Sequence, residues 1–213
     1  MESGNYKYTG RMNHSTLDYY NSNSKQYFDK TSSVALDAWW GIADKHITNG
    51  SVILDLGSGS GRDLKYFSQQ HDRVIGLDYS LSLAKIAHDH SHKPVIQADM
   101  RTIPFKQDAF DVVWSMAVLH HLQKQDVSTA LMEIKRILKN KGKVFVSVKQ
   151  GEGEEISNEG RFFAYYTVHE WERVLTSAGF KIRETVMTEE KRFCDHSEDF
   201  ITVPWIFTYA IKT

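Results

Sequence analysis

The residue types that do chemistry gather in LDLGSGSGRD (Leu54–Asp63). An apolar run, SVILDLG (Ser51–Gly57), enters this segment as a buried strand, and Arg62–Gln70 leaves it as a helix. Glycines at 57, 59 and 61 permit a tight turn and let a ligand approach the backbone closely. Backbone N–H groups at the start of the helix are expected to face that ligand. Two phosphate-binding patterns are absent. G-x-G-x-x-G fails in both registers, because its last position falls on Arg62 or on Leu64. G-x-x-x-x-G-K-[ST] does not occur. Asp55, two positions before the first glycine, would repel a pyrophosphate and welcome a cation.

Two more acids close the next two strands. Asp78 ends RVIGLD (Arg73–Asp78), 21 positions beyond Gly57. An acid at about 20 positions can accept both hydroxyls of an adenosine ribose. Asp99 ends PVIQAD (Pro94–Asp99) and is a candidate acceptor for an adenine amino group. Met100 beside it is a candidate to pack on the ring. Each aspartate alone reads as a turn or cap residue. Three on successive strand ends, beside a glycine turn, point to one ligand.

These residues need a sheet to hold them. After the second strand comes a helix, Ser80–His90, and after the third a fourth strand, Phe110–Val118. Asp126–Lys139 spaces Val127, Leu131, Ile134 and Leu138 as one apolar helix face. A fifth strand (Lys143–Lys149), a helix (Val168–Ala178) stopped by Gly179, and two strands near Lys181–Thr188 and Phe200–Ile211 complete the pattern. Continuous apolar strands alternating with helices predict an α/β fold with a parallel sheet covered on both faces. The last two strands have no helix between them, so they are expected to pair antiparallel at one edge. Two helices, about His14–Thr31 and Val34–His46, precede the first strand and carry Tyr19, Tyr20, Tyr27, Phe28, Trp39 and Trp40. These rings either pack on the sheet or form a lid over the carboxyl ends of its strands.

Composition bounds the rest. The chain has 213 residues, net charge −1, 41% hydrophobic and 12% aromatic residues, and no linker or repeat. That is one globular domain, 1–213, divided as a helical lid (1–47), a ligand-binding core (51–149) and a substrate-side segment with the last strands (150–213). The single cysteine, Cys194, excludes a disulfide framework or thiolate metal cage within the chain. No apolar run is long enough to span a membrane, and the first residues lack a signal-peptide core. A cytoplasmic location is expected, and the oligomeric state is left open. HDHSHK (His88–Lys93) invites a metal reading, but its place at a helix end, away from the strand mouths, argues for no metal.

ILDLGSGSGRD, VIGLDYS, QADMRTIPF and FDVVWSMAVLHHL resemble successive motifs of the class I S-adenosylmethionine-dependent methyltransferases. The resemblance runs from about Val52 to Lys149. YYNSNSKQYFDKT and the later GRFFAYY…EW…VL…AGF are similar to small bacterial methyltransferases of the "type 11" and tellurite-resistance kind. Two features depart from that pattern: Lys139-Asn-Lys-Gly142 replaces a proline-glycine-glycine turn, and the segment Ile201–Thr213 is unlike it. The resemblance implies a Rossmann-like seven-stranded, mostly parallel sheet with an antiparallel strand near one edge. It also implies S-adenosylmethionine as methyl donor and S-adenosylhomocysteine as product. By family position Asp55 lies at the amino end of the methionine part, and Gly57, Ser58 and Gly59 line the methionine and ribose. Asp78 holds the ribose, Tyr79 lies beside the adenine, Asp99 and Met100 bind it, and Ser115 and Met116 sit under the sulfonium.

A donor of that kind carries an activated methyl group, so the enzyme must mainly place a nucleophile in line with it. A base is needed only for a nucleophile that arrives protonated. His121, after the fourth strand, is the candidate base, and His120 reads as packing. Tyr19, Tyr27, Arg161 and Tyr165 are candidates for the acceptor side, with Arg161 an anion clamp or else an ion pair of the acidic run Glu152–Glu155. WSMAVLHH is not the Asn/Asp-Pro-Pro turn of amino-group nucleobase methyltransferases, and no Pro-Cys nucleophile occurs. A small-molecule acceptor follows. Transfer RNA is the alternative, because AVLHHL also resembles wobble-uridine methyltransferases and a basic run lies at Lys135, Arg136, Lys139, Lys141, Lys143 and Lys149. Binding of the cofactor without turnover is a further alternative.

Overall fold

The structure, a computed structural model, describes residues 14–193 and 200–213. Cys194 lies outside the described residues. In chain order the elements are α1 (His14–Ser22), α2 (Ser24–Thr31), α3 (Asp37–Asp44), β1 (Ile53–Leu56), α4 (Arg62–Ser68), β2 (Val74–Asp78), α5 (Leu81–Ser91) and β3 (Val95–Gln97). They continue with β4 (Phe110–Met116), a 3-10 turn (Leu119–His121), α6 (Lys124–Ile137), β5 (Leu138–Lys149), β6 (Glu154–Ile156), β7 (Phe162–Ala164), α7 (Val168–Ser177), β8 (Phe180–Phe193) and β9 (Phe200–Lys212).

Seven of the described strands form one sheet in the order β3-β2-β1-β4-β5-β9-β8. Strands β1 to β5 pair in parallel, while β9 runs antiparallel to both β5 and β8. The expected antiparallel strand is therefore β9, second from the edge. Side-chain alternation builds a layer on each face. Val144, Val146 and Val148 of β5 join α6 and α7 through Leu131, Ile134, Trp171 and Leu175. Phe145, Val112 and Trp114 point the other way, to Trp39 and Trp40 of α3 and to Leu64 and Phe67 of α4. The order of strands reverses between β1 and β4. Ligands of open α/β sheets bind where the chain leaves such a pair.

Three local departures from the sequence reading have physical causes. The first helix breaks into α1 and α2 at Asn23, whose side-chain amide donates to the Tyr19 carbonyl at 2.9 Å. The Tyr19 carbonyl also takes the Asn23 N–H at 2.9 Å, so it is shared by two donors there. Helix α6 ends at Ile137 rather than Lys139, because Leu138 already pairs with Phe110, and the chain then turns at Lys141 with φ 59°. The segment Gly160–Tyr166, to which the sequence assigns no strand, contains β7, which pairs antiparallel with β6. Strands of three residues carry too little alternation to be seen by period. The flanking Gly153 and Gly160, at φ 78° and 83°, were the available turn signals.

Of the three amino-terminal helices, only α1 and α2 lie over the strand ends. Trp39 and Trp40 of α3 are core residues, 8% exposed each, as the packing reading of those rings expected.

Candidate functional site

A cavity of ≈ 600 Å³, part of it open to solvent, lies at the carboxyl ends of β1, β2 and β4. Gly57 and Gly59 form its floor. Asp78, Tyr79 and Met100 form one side, and Met116, Ala117 and His121 close the far end. Thr16, Tyr20 and Tyr27 of α1 and α2 supply the roof. Among the residues expected from the sequence, the structure brings together Gly57, Gly59, Asp78, Tyr79, Met100, Met116, His121 and Tyr27.

The glycine turn is held by hydrogen bonds that the sequence did not disclose. The N–H groups of Gly57 and Ser58 both donate to the Leu77 carbonyl, at 2.7 and 3.0 Å, and Gly61 donates to Ser58 at 2.8 Å. Gly59 N–H donates to Asp78 Oδ2 at 2.8 Å, and Ser80 N–H to Asp78 Oδ1 at 2.8 Å. The turn therefore spends these N–H groups on β2 and itself, contrary to the expected ligand-facing array. A Cβ on Gly57 (φ 77°) would lie 2.5 Å from a methyl of Val118, so glycine is required where the turns after β1 and β4 meet.

Other expected residues lie elsewhere. Asp99 faces Arg101 rather than the cavity: its Oδ2 takes the guanidinium at 2.7 Å, and Arg101 also reaches Asp126 at 3.1 Å. Ser115 is fully buried, so Met116 alone of that pair lines the cavity. Ser58 is buried behind the turn. Asp55 lies beneath it, 2% exposed, with an Oδ2 that has no hydrogen-bond partner. Asp63 beside it takes Trp40 Nε1 and Arg62 Nε, both at 3.0 Å. Tyr19 lies under the Arg161 guanidinium, 4.5 Å from the ring centre. Arg161 pairs with Glu159, not with the acidic run at 152–155. Tyr165 donates its hydroxyl to Glu155. His88 Nδ1 bonds the Lys93 carbonyl at 2.8 Å, and His90 packs edge-on against Phe28.

Burial sets the electrostatics. It pushes the Asp78 carboxyl up to about 6, against the opposing hydrogen bonds from Gly59, Ser80 and Tyr79. Asp55 is held well above the usual carboxylate range, first by burial and then by the Asp63 charge. His121 is pushed down to about 4 by burial, then by Arg161 and Lys149, against the hydrogen bond to Phe162. Its tautomer follows from its partners. The Phe162 carbonyl, 2.7 Å away, can only accept, so Nδ1 carries the proton. Nε2 is then the acceptor, and the Tyr20 hydroxyl donates to it at 2.8 Å.

Sequence reasoning missed Thr16 and named Tyr20 only among the rings of a possible lid. Thr16 Oγ accepts from Phe162 N–H at 2.8 Å. The two side chains stand one helical turn apart on α1, and that spacing was the only signal in the sequence.

Residues 54–146 match the profile of a methyltransferase domain family. A protein of Encephalitozoon cuniculi named as a methyltransferase is 26% identical over 201 residues, covering 82% of this chain and 91% of that one. An uncharacterized protein of Methanocaldococcus jannaschii is 38% identical over 102 residues, covering 47% and 38%. Human probable tRNA methyltransferase 9B is 32% identical over 151 residues, covering 70% and 31%. The chain thus spans 38% and 31% of the length of those last two relatives. In fold it is similar to the Burkholderia thailandensis 1,6-didemethyltoxoflavin-N1-methyltransferase, crystallised with its substrate and S-adenosylhomocysteine (TM-score 0.71, 21% identity, 98% of this chain and 93% of that one). It is similar also to a methyltransferase-named protein of Bacillus halodurans (TM-score 0.70, 15% identity, 83% and 98%). The family match opens beside Asp55 and closes within β5, so it spans the strands that carry Gly57, Asp78 and Met116, and residues 54–146 carry a methyltransferase domain.

Proposed function

We propose that this chain transfers a methyl group from S-adenosylmethionine to a small-molecule acceptor. The observation that carries the reading is Asp78. Its carboxylate is buried in the cavity wall, each oxygen aimed by a backbone N–H, opposite a glycine floor and under an aromatic roof. When bound, S-adenosylmethionine supplies an activated methyl group. The residues present fit it. Asp78 would hold the ribose hydroxyls, and Tyr79 and Met100 the adenine, with Ala98 also on that wall. Gly57 and Gly59 would lie along the methionine part. Met116 and His121 mark the end where the acceptor enters. Tyr20 and Tyr27 cover it and exclude water. A cytoplasmic setting accords with the single cysteine.

Transfer RNA is the second reading, favoured by the name of the human relative. The basic run supports it less. Arg136 is committed to Glu133 and to the carbonyls of Ile103 and Phe105, and Lys139 to Asp111. Salt-dependent binding of transfer RNA would favour that reading over a small acceptor.

Calorimetric titration with S-adenosylhomocysteine, with NAD as control, tests the cofactor. Saturable binding of the former alone is expected. Absence of binding defeats the proposal. Binding without turnover on any acceptor would leave a sensor or partner subunit.

A pH dependence follows. The ribose hydroxyls need the ionised form of Asp78, whose carboxyl stands at about 6. Affinity for S-adenosylhomocysteine should be constant above that pH. Below it, affinity should fall, approaching about tenfold per pH unit. A flat profile from pH 8 to 5 would remove Asp78 as the ribose acceptor.

A further inference from the structure

We propose that the methyl acceptor is a small anion of the carboxylate class that arrives already ionised, that Arg161 with Lys149 holds its charge, and that His121 aims Tyr20 instead of removing a proton. This rests on the methyl-transfer reading above. The first support is a closed circuit of hydrogen bonds at the acceptor end. Phe162 N–H donates to Thr16 Oγ, His121 Nδ1–H donates to the Phe162 carbonyl, and the Tyr20 hydroxyl donates to His121 Nε2. Thr16 and Tyr20 close it one turn apart on α1. Both ring nitrogens of His121 are spent inside the circuit, so no lone pair is left for an acceptor's proton. Protonation of the ring would also break its bond from Tyr20 and place a cation beside Arg161 and Lys149.

The second support is charge. Arg161 stacks 4.5 Å from the Tyr19 ring centre and 5.3 Å from that of Phe163. Lys149 stands 3.8 Å over the Phe163 ring. Phe163 in turn lies 4.9 Å from the His121 ring. Two cations thus stand on the aromatic wall behind His121. Among the described residues Arg161 pairs with the half-exposed Glu159, and Glu155 is engaged with Tyr165. The Arg161 charge acts on the Tyr20 hydroxyl, and Arg161 Nε is buried with no hydrogen-bond partner. That leaves an unspent donor for an anion. An ionised oxygen forms its bond to the methyl carbon with its own lone pair, the carbon–sulfur pair returns to sulfur, and no proton is left for the protein to take.

The test titrates S-adenosylhomocysteine-saturated protein with phenylacetate and with phenylacetamide, its neutral isostere. Phenylacetate should bind at least about tenfold tighter, the ordinary value of one charge-assisted contact. Arg161→Gln should erase that preference and Arg161→Lys keep most of it, with S-adenosylhomocysteine affinity within about twofold in both. Tyr20→Phe, His121→Asn and the double variant should lose phenylacetate affinity by the same factor, because one residue acts through the other. Equal binding of the two probes, or of neither, overturns the anion site. Equal loss in Arg161→Lys and Arg161→Gln, with altered cofactor affinity, makes Arg161 a structural staple. A larger loss in His121→Asn than in Tyr20→Phe refutes the positioning role. Failure of S-adenosylhomocysteine to bind would sink the methyl-transfer reading instead. Phenylacetate on the free protein, compared with Arg161→Gln, then still decides whether the anion site exists.

Discussion

Replacing Asp78 by alanine is expected to weaken S-adenosylhomocysteine binding by at least about 100-fold. Two ribose hydroxyls would each lose a charged acceptor, and each such contact contributes about 1.5–3 kcal/mol in a shielded site. The carboxylate is also what holds the turn. Gly59 and Ser80 both donate to it at 2.8 Å, so its removal leaves two N–H groups without their acceptor and loosens the floor of the cavity. Asp78→Asn, which keeps one acceptor oxygen, should fall between, at about tenfold. Calorimetry on variants shown to be folded by circular dichroism checks both. Undiminished affinity in folded Asp78→Ala would place the ribose elsewhere.

Gly61→Ala is expected to be the most destabilising of the turn substitutions, and for a reason unconnected with the ligand. Gly61 caps α4 at φ 78°, where a Cβ costs about 1–2 kcal/mol. That Cβ would also lie 2.7 Å from the Cα of Ala87 and 2.9 Å from its carbonyl oxygen. These are backbone atoms of α5, which cannot swing aside as a side chain does. Overpacking of this kind adds about 1–3 kcal/mol. For a chain of this size the sum lowers Tm by about 4–20 °C. Gly153 supplies the control: it shares φ 78°, and an added Cβ there meets nothing within 4 Å. Gly153→Ala should therefore show the backbone cost alone. Equal melting shifts for the two variants would show that the approach of α4 to α5 is not tight.

That contrast marks where the sequence reading stopped. Gly57, Gly59 and Gly61 look alike along the chain and were read together as a ligand-facing turn. In the fold Gly57 makes room for Val118, Gly59 lies against the Tyr27 ring, and Gly61 lets two helices touch. A glycine spacing reports that a Cβ is excluded but not what excludes it. Asp99 shows the same limit. It lies two residues past the end of β3, and its carboxylate is committed to Arg101, two residues on. A carboxylate turns to its nearest cation, and which residue that is depends on rotamers and loop path.

The sequence by itself determined the fold class, the order of helices and strands through the central sheet, and the gathering of Gly57, Gly59, Asp78, Tyr79, Met100 and Met116 around one cavity. Each depends on local signals: apolar period, glycine at a strand end, and an acid closing the next strand. In a βαβ chain those residues are brought to one sheet edge by the handedness of successive crossovers, so their spacing along the chain already encodes their neighbourhood. The acceptor side was decided only by tertiary structure. Its hydrogen bonds join Tyr20 to His121 across 101 positions and Phe162 to Thr16 across 146. No periodicity links such residues. They meet because α1 folds back over the strand ends and the β6–β7 hairpin rises beside it. Whether His121 offers a free lone pair or spends it on Tyr20 is settled by that contact.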